Sequence, residues 1–163
     1  MDTLPEADAR LRVGAYELGR LRPADLSQVL ALERLVFPEP LGMRQLRRLY
    51  RRPEVTYIAA YREPGGVVAA YYGFERLPDG RGAHVLANVT HPAERRRGLG
   101  RALVTWGTQL GRERGVRWIV GEVRASNEAQ LAFLATLGWR VGERMPRFFG
   151  DGEDAWMVYH CLP

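Results

Sequence analysis

Between His84 and Arg124 the hydrophobic period changes twice, from two to about 3.6 and back again. His84–Thr90 alternates like a strand, and Trp118–Arg124 does the same. Between them, Gly98–Arg114 carries Leu99, Ala102, Leu103, Trp106 and Leu110 on one helical stripe. A strand, a helix and a strand joined this closely predict parallel neighbours linked by a right-handed crossover. Flanking segments extend the pattern. Tyr16–Leu21, Val55–Tyr61, Val67–Phe74, Arg140–Glu143 and Ala155–Cys161 read as strands, with a hairpin through Pro64-Gly65-Gly66. Pro23 opens a helix on which Leu26, Val29, Leu30, Glu33 and Phe37 recur, and Met43–Tyr50 forms a second. Asn127–Leu137 is a third, with Asn127 and Gln130 as a capping pair and Gly138 as the left-handed residue that ends it. These elements predict a mixed α/β domain around one sheet, covering residues 1–163, with 1–13 as a loose N-terminal tail.

Composition removes several classes of function. The longest apolar run, Val67–Tyr72, falls far short of the ~18–20 residues that cross a bilayer, so no membrane association is expected. The start, Met1-Asp2-Thr3, has no apolar stretch and predicts no signal peptide. Cys161 is the only cysteine, which excludes an internal disulfide and a cysteine-based metal cluster. The expected compartment is therefore cytoplasmic, and no metal is expected. All 24 basic residues are arginine, so a phosphate-loop lysine, a Schiff-base lysine and a lysine base are absent. The net charge of +5 favours an anionic partner, for which a compact polyphosphate is the better candidate. Nucleic acid is not the expected partner, because the chain shows no evident pairing of one-sided charge with stacking aromatics.

The stretch Thr90-His91-Pro92-Ala93-Glu94-Arg95-Arg96-Arg97-Gly98-Leu99-Gly100-Arg101 is the most informative. A strand ends and a helix begins, with arginines crowded where the helix dipole is already positive. Unliganded, each such cation costs about 0.3–1 kcal/mol; an anion at the helix start reverses the sign. Gly98 and Gly100 allow close backbone approach. The third glycine of a dinucleotide fingerprint is missing, as is a Walker lysine. A phosphate site is the expectation, and a solvated basic turn the alternative.

Arg95-x-x-Gly98-x-Gly100 after a strand resembles the coenzyme A pyrophosphate loop of the GNAT N-acetyltransferase superfamily. Glu122-Val123-Arg124-Ala125-Ser126-Asn127, Leu137-Gly138-Trp139 and Gly152-Glu153-Asp154-Ala155 follow in the order seen in bacterial ribosomal-protein-alanine N-acetyltransferases. The similarity is close from about Asn88 to Tyr159. It implies a single mixed, mostly antiparallel sheet flanked by helices, with acetyl-CoA as co-substrate. It assigns the pyrophosphate to Arg95, Arg96, Arg97, Gly98, Leu99, Gly100 and Arg101, and places Asn127 within reach of the coenzyme. It assigns the acetyl carbonyl to backbone N–H groups around Asn88, Val89 and Thr90, where a fixed donor acts as an oxyanion hole.

Glu122 is the candidate base. It shares a strand face with Trp118, Val120 and Arg124, so a carboxylate interrupts a largely apolar face. An α-amine near pKa 8 needs less help than a lysine amine near 10.4, and a partly desolvated Glu can take that proton. The alternative is a strand-end Glu paired with an arginine. Family members carry a tyrosine acid on the following helix where this chain has Leu134, beside Phe133, and a Tyr-Tyr pair near the substrate where it has Phe148-Phe149. Tyr159 is the remaining candidate acid, against a core role. His84 is read as polar surface, and Trp106, Trp118, Trp139 and Trp156 as core. The Asp151–Asp154 turn is read as solvated, with attraction of a substrate ammonium as its other role. By resemblance, Phe37–Gly42 is a substrate-side loop.

The expected function is acetyl transfer to a primary amine, favouring a protein or peptide N-terminus. A small-molecule amine acetyltransferase, a coenzyme A-binding module with little turnover and a nucleic-acid binder are the rivals. The sequence leaves the oligomeric state open.

Overall fold

A computed structural model describes residues 11–163. The element order is β1 (Leu11–Val13), β2 (Tyr16–Arg20), α1 (Leu26–Val36), α2 (Met43–Tyr50), β3 (Val55–Arg62), β4 (Val67–Arg76), β5 (Gly82–Thr90), α3 (Leu99–Glu113), β6 (Trp118–Arg124), α4 (Glu128–Thr136), β7 (Arg140–Met145) and β8 (Ala155–Cys161). The strands lie in the order β1-β2-β3-β4-β5-β6-β8-β7. Pairing is antiparallel for β1/β2, β2/β3, β6/β8 and β7/β8, and parallel for β5/β6, as the crossover through α3 requires. The sheet is mixed and flanked by helices.

The chain divides into two compact units. One holds the chain up to Gly73 together with Ala87–Gly107; the other holds Phe74–Leu86 and Thr108–Pro163. In the first, β3 is buried from Thr56 to Tyr61, so the alternation of a one-sided strand gives way to a nearly continuous apolar run. Leu26, Val29, Leu30 and Leu32 of α1 are buried, as is Leu46 of α2. Gly107 of α3 lets the Tyr72 ring lie where a Cβ would sit 2.5 Å from it. In the second unit β6 alternates strictly: Ile119, Gly121 and Val123 are buried, while Trp118, Val120, Glu122 and Arg124 are half-buried. At the outer position β7 is mostly exposed, with a register shift between Val141 and Arg144.

Two expectations about the fold need correction. The predicted tail ends sooner, because Leu11–Val13 pairs with Tyr16–Leu18 through a turn at Gly14, whose φ is +56°. Residues 1–10 of that tail lie outside the described residues. Of the four tryptophans only Trp139 is buried; Trp118 and Trp156 are half-buried on β6 and β8, and so is Trp106, since Leu103, Val104 and Gly107 occupy the inner side of α3. Glu122 lies on the face of β6 expected for it, with Trp118, Val120 and Arg124, and this is the half-buried face, opposite Ile119-Gly121-Val123.

Candidate active site

In the first unit, β5 ends with Val89 buried and Asn88 and Thr90 half-buried on the other face. The His91 amide then donates to Ala69 O at 2.8 Å, and a short turn over Pro92–Glu94 is capped by His91 Nδ1, which accepts from the Ala93 amide. Arg95, Arg96, Arg97 and Gly98 are all exposed. Arg96 adopts φ +63°, an uncommon conformation for a residue with a Cβ, and Gly98 adopts φ +79°. Ala102 N donates to Gly98 O at 3.0 Å, which starts α3. The first-turn amides beginning at Leu99 are those a helix cannot pair internally. An exposed glycine, a helix start and three exposed arginines fit a pyrophosphate group.

Both sides of Arg96 are fastened to β2 and β3. Tyr16 and Arg62 are cross-strand partners. The Tyr16 hydroxyl donates to Glu94 Oε2, and Arg62 Nη1 donates to Glu94 Oε1 at 2.8 Å. Arg97 Nη1 donates to Tyr16 Oη at 3.1 Å. The Tyr16 hydrogen bond, then Arg62 and Arg97, hold the Glu94 carboxyl below its ordinary value, while Glu94 raises the Tyr16 phenol. A second buried carboxylate lies in α1: Glu33 accepts from the Tyr71 hydroxyl and from the Leu41 amide at 3.3 Å, which fastens the Phe37–Gly42 loop.

In the second unit, the Glu122 carboxylate is held by histidine rather than arginine. His84 Nε2 lies 2.8 Å from Oε2 and 3.1 Å from Oε1. An ionised carboxylate only accepts, so Nε2 carries the hydrogen. Parallel pairing of His84 with Val120 places the ring beside Glu122, two residues further along β6. The hydrogen bond to Glu122 raises the His84 pKa against the opposing effect of burial. His84 therefore belongs with the candidate base and is not merely polar surface. Strand alternation put the residue on a face, but only the β5/β6 register brings the two side chains together.

Arg124, on the same face of β6, reaches Asp151 at 2.8 Å and Glu153 at 3.7 Å, and its guanidinium stacks 4.1 Å from the Phe149 ring. Ser126 Oγ donates to Glu153, and Arg144 reaches Asp154 at 2.8 Å. The Asp151–Asp154 turn is thus an arginine-braced support, not a free acidic turn. It carries Phe149 packed edge-on against Phe148, with centroids 5.1 Å apart. Asn127 caps α4, its Oδ1 accepting from the Gln130 amide at 3.1 Å. Leu134 is buried, and Tyr159 is half-buried on β8. Among the described residues no group of three His, Cys, Asp or Glu is placed to hold a metal ion, and no helix is long and apolar enough to cross a membrane.

Residues 26–139 match the sequence profile of the Acetyltransferase (GNAT) family. An "N-alpha-acetyltransferase" of Sulfurisphaera tokodaii is 25% identical over 154 residues, covering 88% of this chain and 91% of its own. The ribosomal-protein-S18-alanine N-acetyltransferase from Escherichia coli superposes with TM-score 0.79 at 24% identity, over 90% of this chain and 94% of its own. Arabidopsis thaliana NAA60 in complex with acetyl-CoA gives TM-score 0.79 at 15% identity, over 90% and 98%. The two superpositions establish the fold, and the profile establishes the family. The chain belongs to the GNAT family and is an N-acetyltransferase.

Proposed function

We propose that this enzyme acetylates the α-amine of a protein or peptide, with acetyl-CoA as donor. The observation that carries the reading is the His84–Glu122 pair: a half-buried carboxylate fixed by a neutral donor or by an imidazolium, not neutralised by an arginine. The hydrogen bond to Glu122 raises the His84 pKa, and a carboxylate held in this way suits an amine whose pKa is near 8 better than one near 10.4. The name of the Sulfurisphaera tokodaii relative supports the same acceptor. A cytoplasmic location belongs to this reading, since a lone cysteine fits a reducing compartment.

Acetyl-CoA supplies an activated acyl group and a leaving sulfur that departs as a thiolate. The exposed Arg95–Gly98 segment and the amides from Leu99 to Arg101 would hold the pyrophosphate. Asn127, whose Oδ1 is committed to its helix cap, retains its amide hydrogens for the coenzyme. Backbone N–H groups around Asn88, Val89 and Thr90 would polarise the acetyl carbonyl. Glu122 accepts the ammonium proton, and His84 holds the carboxylate in place and shares the charge. The test is a panel of peptides with free N-termini set against blocked lysine peptides and small amines, read by mass spectrometry. Acetylation of free N-termini is expected. Acetylation confined to small amines overturns the acceptor class and leaves the family intact.

A further inference from the structure

We infer that the outer face of α2 docks on the phosphate backbone of duplex RNA. Arg44, Arg47, Arg48 and Arg51 recur at i, i+3, i+4 and i+7, and all four are exposed. With Met43 they line a groove of about 600 Å3. The segment Met43–Glu54 holds five arginines and one glutamate, while the rest of the chain holds 19 arginines against 18 carboxylates. Nearly all of the net charge is therefore gathered on one short helix and the turn after it. Expectations drawn from the whole chain's composition averaged this concentration away.

Like charges three and four residues apart oppose helix formation by about 0.2–0.5 kcal/mol per pair. A polyanion removes that penalty. Four guanidinium groups over about 10 Å of helix suit a ligand that carries a charge on every unit of its backbone, as a nucleic-acid strand does. An extended peptide offers a comparable run only where acidic residues alternate along it. Leu46 is fully buried and α2 packs on α1 and β3, so only its outer face is available. Its arginines therefore reach a ligand from one side only, which suits phosphates flanking the wide, shallow minor groove of A-form RNA better than insertion into the B-DNA major groove.

The proposal is independent of the acceptor and of the acetyl-transfer chemistry. The test is fluorescence anisotropy with a labelled RNA duplex, the DNA duplex of the same sequence, and poly-glutamate. Wild-type protein should bind RNA best, with log K falling against log salt with a slope of about −3 to −4. Arg47→Gln/Arg48→Gln should reduce that slope by about two, and the further changes Arg44→Gln and Arg51→Gln should weaken binding at least about tenfold. Arg112→Gln/Arg140→Gln removes as many exposed arginines elsewhere and should leave binding unchanged. The thermal shift with acetyl-CoA reports that each variant is folded and keeps its coenzyme site. RNA binding unmoved by the α2 changes overturns the proposal. So do an equal loss in Arg112→Gln/Arg140→Gln, equal or tighter binding of DNA, and tighter binding of poly-glutamate.

Discussion

The Tyr16 hydroxyl donates to the carboxylate of Glu94, 78 residues further along the chain, and accepts from Arg97 on the far side of left-handed Arg96. One phenol thus fixes both flanks of the backbone segment assigned to the pyrophosphate. Tyr16→Phe keeps the ring and removes both bonds. The expected result is a KM for acetyl-CoA raised several-fold with kcat little changed, since the loop must then order itself on binding. Equal loss in kcat with KM unmoved would show that Tyr16 supports the fold rather than the loop.

The same cluster gives a signature in acid. The Glu94 carboxyl is held below its ordinary value, chiefly by Tyr16. Its contribution to stability is therefore present above the unfolded-state pKa of about 4.5 and lost as pH falls through the lower folded value. Melting temperature followed from pH 7 to pH 3 should fall less steeply for Tyr16→Phe than for wild type. Parallel curves would mean the hydrogen bond does not bias that ionisation.

For the base, the linkage runs the other way. Glu122 raises the His84 pKa, so its contribution to stability is complete below about 6.5 and disappears as pH rises through the folded value. A neutral His84 lets the pair share the incoming proton, which an imidazolium cannot do, so turnover should rise with pH as His84 loses its proton, along a limb above the ordinary histidine value. His84→Gln should move that limb to lower pH by releasing the carboxylate from its partner. Glu122→Gln should keep acetyl-CoA affinity and lower turnover by about 10²–10⁴-fold. That loss should shrink as the amine deprotonates itself. A limb unmoved by His84→Gln would assign it to the substrate amine.

At the loop, Gly98 has open space around a built Cβ, so φ rather than crowding limits substitution. Gly98→Asn tolerates a positive φ and adds no charge, whereas Gly98→Asp places an anion at the helix start. Isothermal titration should show acetyl-CoA binding retained by the first and lost by the second. Loss in both would indicate that bulk, not charge, decides.

Leu134 stands where the resemblance puts a tyrosine acid, so Leu134→Tyr tests whether a phenol there can act on the leaving sulfur. In the structure Leu134 is buried, and its carbonyl accepts from Leu137 and Trp139 at the end of α4. A larger side chain there overpacks the site by about 1–3 kcal/mol. A lower melting temperature without a gain in turnover is expected, and increased kcat would show that the phenol finds a path to the sulfur.

Elements with a strong period were readable from sequence: α2, β6 and β8 begin and end where the alternation and helical spacing place them. β1 was not, because three residues carry no period, and only Gly14 hinted at the turn. Glu122 could be singled out as a carboxylate in a strand, but its partner could not. The local sequence around His84 says nothing about a neighbouring strand's register, and the Arg-rich composition favoured the wrong cation. The loop glycines were legible as a motif, whereas Tyr16 and Arg62 are joined to it only through β2/β3 pairing and a buried carboxylate.

Arg124 has a further consequence for how acceptor choice could change. One guanidinium grips Asp151, Glu153 and the Phe149 ring, while Ser126 and Arg144 hold Glu153 and Asp154, so the stretch that resemblance assigns to the acceptor is seated on the end of β6 through its own set of contacts. On the proposed roles, exchanging residues 146–150 with Phe149 kept should alter acceptor choice while leaving Glu122, two positions before Arg124 on β6, in place.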